Sequence, residues 1–260
     1  MLVCCLGDLL LDVIVRLDEP LVWGADATAR TRTGAGGQAT NVAAWAAALG
    51  ARARLVAKRG DDAAGALVAG ELDGLGVEVV GPIEGGRTGV VVSVVGPDGE
   101  RTMASDRGVS PELSAGDLDP AWFADCDVLH VTGYALLGEP MRSAALRAAE
   151  LVPRVTLDLS SAAHIRSANG FRSAVEALRP SLVFANEGER EAAGELPVEW
   201  VVKRGPAGFE WRDETWPAQA AEVVDTTGAG DAFAAGFLLG GPELALEAAA
   251  RCVARLGTMP

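Results

Sequence analysis

The sequence predicts an α/β protein: a three-layer α/β/α sandwich with a mostly parallel central sheet and a small antiparallel β-sheet lid. Short apolar, β-branched runs alternate with alanine-rich stretches of helical length, the pattern of a parallel sheet covered on both faces. The strand-like runs are near-continuously apolar rather than alternating, as strands buried on both faces are. Two separate regions, about 13–33 and 87–105, instead hold pairs of extended segments with no helix between them.

The strands of the main sheet are expected at 2–6, 54–57, 128–131, 155–158, 182–185 and 200–203. Helices are expected at 39–49, 63–75, 140–151, 171–177, 188–193 and 230–239. The opening MLVCCLGDLLLDVIV lacks a basic leader and is interrupted by Asp8 and Asp12, so it reads as a buried first strand rather than a signal peptide. In the lid, segments 88–95 and 101–105 flank Gly96-Pro97-Asp98-Gly99, a hairpin turn signal. Segments 13–17 and 27–33 make the second pair. The competing placement for both pairs is an edge extension of the main sheet.

The chain has 260 residues, 49% of them hydrophobic, enough for a sizeable core and read as a single domain spanning 1–260. It carries 22 basic against 36 acidic residues, a net charge of −14. That balance argues against nucleic acid or an anionic membrane as the main partner. No run approaches the ~20 apolar residues that span a bilayer. The four cysteines, Cys4, Cys5, Cys126 and Cys252, fit neither a disulfide ladder nor a zinc spacing. Free thiols in a reducing cytoplasm are expected.

The loops hold the chemistry. In DTTGAGDAF, residues 225–233, Gly228, Ala229 and Gly230 precede an apolar helix, so unpaired N–H groups converge at a helix N-terminus and suit an anion. Asp231, in the first turn of that helix, is placed to accept a proton from an attacking hydroxyl while the amides stabilise a transferring phosphoryl group. A second loop, GAGGQATN at 34–41, formally matches a dinucleotide fingerprint, yet no buried strand precedes it and no acid follows about 20 residues on. Asn41 there offers an amide to a polar ligand. Asn186 and Glu189 in NEGE follow a strand and suit a hydrated Mg²⁺. KRGPAG at 203–208 forms a turn after another strand, with Lys203 or Arg204 near phosphates.

Taken in order, these pieces resemble the ribokinase-like (PfkB) family of carbohydrate and nucleoside kinases. The resemblance rests on Gly7-Asp8, GGQATN at 36–41, RTG at 87–89, DGERTM at 98–103, NEGE, KRGPAG and, most specifically, DTTGAGDAFAAGF at 225–237. It implies phosphoryl transfer from ATP, with Mg²⁺, to a hydroxyl of a sugar, sugar acid or nucleoside. By position it implies that Asp231 is the catalytic base and that Gly228, Ala229 and Gly230 form the anion hole. Asp8, Asp12, Gly36, Gly37 and Asn41 become substrate contacts. Asn186, Lys203, Gly205, Gly208 and Thr226 lie on the nucleotide side, Glu189 toward magnesium, and Asp225 where some members bind a monovalent cation such as K⁺. The lid is the family's usual dimerisation surface.

Three departures stand out. Only 29 residues follow Asp231, shortening the segment that closes over adenine. DLSS at 158–161 replaces an Asp-x-Asn-x-Arg pattern, and Tyr134 stands where ribokinases proper carry an acid. Two other readings compete. One is a non-catalytic sugar- or nucleoside-binding regulator on the same fold, which the intact GAGD and NEGE disfavour. The other is a nicotinamide-dependent oxidoreductase built on GAGGQA, which the missing ribose acid disfavours. His130 and His164 read as structural, at a strand end and in a loop. Trp23 and Met103, in the lid, are candidates to pack on a ligand, in the core or at a dimer interface.

Overall fold

The computed structural model describes residues 1–98 and 100–260, so Gly99 of the expected hairpin turn lies outside the described residues. The chain begins β1 (Leu2–Leu6), β2 (Leu10–Leu17), β3 (Ala29–Gly36), α1 (Gln38–Ala48), β4 (Arg52–Val56) and β5 (Arg59–Gly60). It continues α2 (Ala63–Gly74), β6 (Val77–Val80), β7 (Ile83–Glu84), β8 (Thr88–Val95) and β9 (Arg101–Gly108). The next elements are β10 (Val128–Thr132), α3 (Met141–Ala149), β11 (Val155–Asp158), α4 (Ala162–Ser167), α5 (Phe171–Leu178) and β12 (Leu182–Asn186). Last come α6 (Glu187–Ala193), β13 (Trp200–Lys203), β14 (Phe209–Trp211), β15 (Glu214–Trp216) and α7 (Ala229–Val253).

The main sheet runs β15-β14-β13-β12-β11-β10-β1-β4-β6. Its strands from β13 through β6 are parallel, and β14 and β15 add an antiparallel edge. One apolar cluster covers the face under α1 and α7, the other the face under α3 and α5. The expected three layers are present. The strand order reverses at β1, because the chain first builds β4 and β6 on one side and then β10 to β13 on the other. Crevices at such a reversal, outside the carboxyl ends of the strands, are where open α/β sheets bind ligands.

The opening apolar run is not one strand. β1 is wholly buried in the main sheet, and Gly7-Asp8 breaks it so that β2 leaves for the lid. The lid is a sheet of its own, in the order β3-β2-β8-β9, so the edge-extension placement falls. Its two hairpins are antiparallel, and they join through a parallel β2–β8 pairing because both strands rise from the body in the same direction. Asp62 ties this lid to the body. It caps α2 by accepting from the Gly65 amide and also accepts from the amide and hydroxyl of Thr88 at the foot of β8.

Three elements lacked a readable signal. β6 and the β14–β15 hairpin are short, and the hairpin turns through Arg212 and Asp213 at φ 51° and 62°, where glycine or asparagine usually announces the turn. His164 belongs to α4 rather than to a loop. Helix α7 runs far past 239 and is long and apolar enough to cross a membrane, a stretch the sequence reading did not pick out. Gly241, with φ 71° and ψ −155°, and Pro242 kink it, and 56% of its most apolar window is buried. It is the core helix against α1.

Behind the first turns of α7, Phe233 and Phe237 pack edge-on against Phe209 and Phe184, with ring centroids 4.8 to 6.3 Å apart. This cluster sets the height at which α7 presents its N-terminus. Phe209→Ala, at a fully buried site, is expected to lower stability by about 3–5 kcal/mol, measured by denaturant unfolding.

Candidate active site

The carboxyl ends of five parallel strands converge under the lid. β1 ends before Asp8, β10 before Tyr134, β11 at Asp158, β12 at Asn186 and β13 at Lys203. From the helix layer, α1 brings Gln38 and Asn41, and α7 brings Asp231. Gly37, at φ 100°, makes the turn from the lid into α1, and a Cβ there would stand 2.5 Å from the Asp8 carbonyl oxygen.

Asp231 accepts a 2.7 Å hydrogen bond at Oδ2 from Asn41 Nδ2. Burial raises its pKa to about 7, and Asp158 adds to the rise, while Asn41, Lys203 and Gln38 pull against it. The amide oxygen of Asn41, buried like the nitrogen that bonds Asp231, has no partner among the described residues and is open to a ligand hydroxyl. Lys203 donates to Asp158 over 2.5 Å. Burial works against its charge, but Asp158 and Glu189 outweigh burial and raise its pKa. A Cβ on Gly230 would stand 3.2 Å from Lys203 Nζ, which puts this cation beside the glycine loop.

The loop itself is held from below. Gly228 caps α7 at φ 77°, and a Cβ there would strike Thr258 at 2.9 Å. Asp225 accepts at one oxygen from the amide and hydroxyl of Thr227, at 2.9 and 2.5 Å, and at the other from the Gly257 amide at 3.1 Å. Burial opposes its ionisation, yet these bonds and Arg101 hold its pKa below the usual range. Donors from Thr227 and Gly257 therefore fix the orientation of the Asp225 carboxylate below the glycine loop. The C-terminal segment packs here too: the Leu256 carbonyl accepts from Arg32 of the lid, and the Thr258 carbonyl from Trp45. Thr226 is exposed at the loop's outer edge.

Asn186 and Glu189 satisfy each other as a capping box, each side chain accepting from the other's amide, at 2.9 and 2.8 Å. Burial and then Asp158 raise the Glu189 pKa. Two carboxylates thus share one lysine, a donor set of the kind that suits a hydrated divalent ion. In the KRGPAG turn, Gly208 lies at φ 92° against the Trp216 carbonyl, Gly205 is exposed, and Arg204 pairs with Glu187 and Glu210.

On the lid, Asp12 lies over Gly36, where a Cβ would stand 2.1 Å from its carboxyl, and burial raises its pKa to about 7 despite Arg101. Asp8 is engaged by a residue the sequence reading missed: Arg107 donates to both its oxygens over 2.8 Å. Period-two alternation along β9 carried that signal, since Arg101, Met103 and Arg107 share the face that pairs in register with Asp12. Gln38, Ser160 and Asp158 were also missed. Met103 is half-exposed and Trp23 is 94% exposed, so neither packs in the core. His130 is buried against Thr156, neutral with a pKa pushed down to about 4 by burial.

The model of the pfkB family carbohydrate kinases matches residues 1–259. The chain belongs to that family. As a pfkB-family carbohydrate kinase it is a phosphotransferase with an alcohol group as acceptor. It is 33% identical to the ATP-dependent ribose-1-phosphate kinase of Halopiger xanaduensis, over 93% of this chain and 86% of that protein. It is 29% identical to fructokinase-1 of Oryza sativa subsp. japonica, over 91% and 82% of the two chains. Among solved structures it is similar to adenosine kinase from Sinorhizobium meliloti, with a TM-score of 0.84, 26% identity and coverage of 99% and 95%. The dinucleotide reading of GAGGQA falls with this membership, and β3, which precedes it, is a lid strand.

The raised pKa of Asp231 predicts a stability signature. The folded chain holds a proton there up to about pH 7, whereas the unfolded chain releases it near 3.8. Folding therefore loses stability at this group as pH rises through that window. Asp231→Asn is expected to raise Tm relative to the parent at pH 8 and to change it little at pH 4, read by calorimetry of both proteins at each pH.

Proposed function

We propose that this pfkB kinase transfers the γ-phosphoryl group of ATP to a hydroxyl of an anionic sugar, a sugar phosphate first among them. The observation that carries the transfer chemistry is the Asp231 carboxylate, poised near pH 7, at the N-terminus of α7 beside Lys203. Asp231 accepts the proton of the acceptor hydroxyl as that oxygen attacks phosphorus. The amides of Gly228, Ala229 and Gly230, with Lys203, meet the charge on the phosphoryl oxygens. Asn41 orients Asp231 through Nδ2 and accepts from a sugar hydroxyl through Oδ1. Asp12 and the backbone at Gly36 and Gly37 line the acceptor side, and Asp8 acts through Arg107. Asn186, Gly205, Gly208 and Thr226 border the nucleotide. Mg²⁺ would sit hydrated beside Glu189, where it neutralises phosphate charge. Asp225 holds the loop.

The choice of an anionic acceptor rests on the lid. Arg32, Arg101 and Arg107 all lie on its inner face. Arg32 and Arg107 are hydrogen-bonded, whereas the nearest carboxylate oxygen to Arg101 is 3.8 Å away, at Asp225. An acceptor phosphate under the lid would meet that guanidinium bidentately. The Halopiger xanaduensis relative, an ATP-dependent ribose-1-phosphate kinase, supports the same class. Between β2 and β3 of the lid, Leu21, Val22 and Trp23 form an exposed apolar tip, which supports a homodimer through the lid.

The test is ATP consumption with Mg²⁺ against ribose 1-phosphate, free ribose, fructose and adenosine, with Asp231→Asn in parallel. The sugar phosphate is expected to give the highest kcat/KM, with an acidic limb near pH 7. The Asn variant is expected to lose at least about 10²–10⁴ in kcat. A free sugar or adenosine outperforming the phosphate would overturn the substrate class, and an active Asn variant would overturn the base. For the dimer, light scattering is expected to report two chains for the parent and one for Trp23→Glu.

A further inference from the structure

On the reading of Lys203 as the cation that meets phosphoryl charge, we propose that Ser160 and Gln38 are positioning residues for that lysine. The strained turn at Ser160 fixes the rotation of the Asp158 carboxylate, and Asp158 holds the Lys203 ammonium against the glycine loop.

Hydrogen bonds carry the whole path. Lys203 Nζ donates to Asp158 Oδ2 over 2.5 Å, and the Ser160 amide donates to Asp158 Oδ1 at 3.1 Å. With one oxygen pinned by a backbone group, the carboxylate cannot turn without losing a bond, so its other oxygen keeps facing the lysine. The Asp158 side chain is 2% exposed, which shuts out water as a replacement partner. From Ser160 the path continues through the hydroxyl, which donates to Gln38 Oε1. Gln38 is the first residue of α1, next to Gly37, whose backbone packs on Asp8. At the far end, a Cβ on Gly230 would approach Lys203 Nζ to 3.2 Å. The path therefore runs from the acceptor-side turn to the phosphoryl-side loop.

Ser160 is held in a backbone that side chains rarely adopt. Its φ is 72°, and the Ser161 amide donates across it to the Leu159 carbonyl at 2.8 Å, the mark of the strained form of the γ-turn. The other residues at positive φ, among those described and apart from glycine, are Arg179, Arg212 and Asp213. They are exposed, at the C-cap of α5 and in the β14–β15 hairpin turn, where such values are ordinary. Ser160 is instead half-buried, at the carboxyl end of β11. The turn is also wedged in place: a Cβ on Gly133 would stand 2.3 Å from the Leu159 carbonyl oxygen and 3.1 Å from Ser160 Oγ.

Glycine would take this φ without strain. Strain at a side chain persists where surrounding bonds hold it, and it clusters at functional sites. What serine has and glycine lacks here is the hydroxyl, and that hydroxyl reaches Gln38, 122 positions away. Its second contact, 3.2 Å from the Asp158 carbonyl oxygen, lies within the turn itself. DLSS, which departed from the expected Asp-x-Asn-x-Arg, thus gains a role in this chain. Its aspartate holds the lysine, and its first serine holds the aspartate.

The experiment is steady-state kinetics of Ser160→Ala, Ser160→Gly, Gln38→Met and the Ser160→Ala/Gln38→Met double variant, with the Tm of each protein. ATP and the most active acceptor of the panel above are varied in turn. Ser160→Ala and Gln38→Met are each expected to lower kcat/KM for ATP about two- to tenfold, the size of one neutral hydrogen bond, with the acceptor KM unchanged. The double variant is expected to lose no more than either single one, because both remove the same bond. Ser160→Gly is expected to lose as much while raising Tm, since the strained φ is relieved. A more stable Ser160→Gly with the parent's ATP kinetics would overturn the proposal and leave the turn a structural feature. Additive losses in the double variant, or a raised acceptor KM with unchanged ATP kinetics in Gln38→Met, would overturn it too. The lysine reading fails separately, through a Lys203→Met variant with the parent's ATP kinetics, whatever the Ser160 variants show.

Discussion

The structure is organised around a carboxylate that burial keeps from ionising freely. Asp231 sits at the positive end of α7, where the dipole and a lysine favour its charge, yet desolvation and the neighbouring Asp158 hold its pKa near 7. Those opposing influences must be set against each other to within a small distance, because each falls off steeply with separation in a poorly polarisable interior. The surrounding architecture does this. The phenylalanine cluster under α7 sets the height of the helix, Asn41 on α1 sets the rotation of the carboxylate, and Asp158 holds Lys203 at the loop. A buried acid left without its function would only cost stability, a common trade at active sites.

The lid shows the same economy with a different outcome. The C-terminal segment braces the lid through Arg32 and the glycine loop through Gly257. Asp8 likewise serves as the anchor for Arg107, joining β9 to the end of β1. The inner face of the lid is therefore cationic while the floor beneath it is acidic. Such a pairing of surfaces suits a ligand with hydroxyls at one end and a negative group at the other.

Much of this was legible in the sequence. Alternating apolar runs and alanine-rich segments pointed to the layers, and the glycine loop to the start of α7, because both depend on local rules of period and backbone freedom. The register of the lid followed from the pleat once its strands were known. What stayed hidden was local structure without a local signature: the β14–β15 turn built from Arg212 and Asp213, and the left-handed Ser160. The long reach of α7 was obscured by Gly240-Gly241-Pro242, which reads as a stop and acts as a kink.

The sequence by itself determined which residue types stand at the carboxyl ends of the strands and which loop precedes α7, since strand, turn and cap preferences act over a few neighbouring residues. Only the tertiary structure decided who partners whom. Asp225 is held in place from Gly257, 32 positions later, which donates to it. Asp8 meets Arg107 across 99 positions, and Gln38 meets Ser160 across 122. Hydrogen bonds between such distant residues depend on chain packing, which no local pattern encodes, and in this protein they set the charge and direction of the groups that do the chemistry.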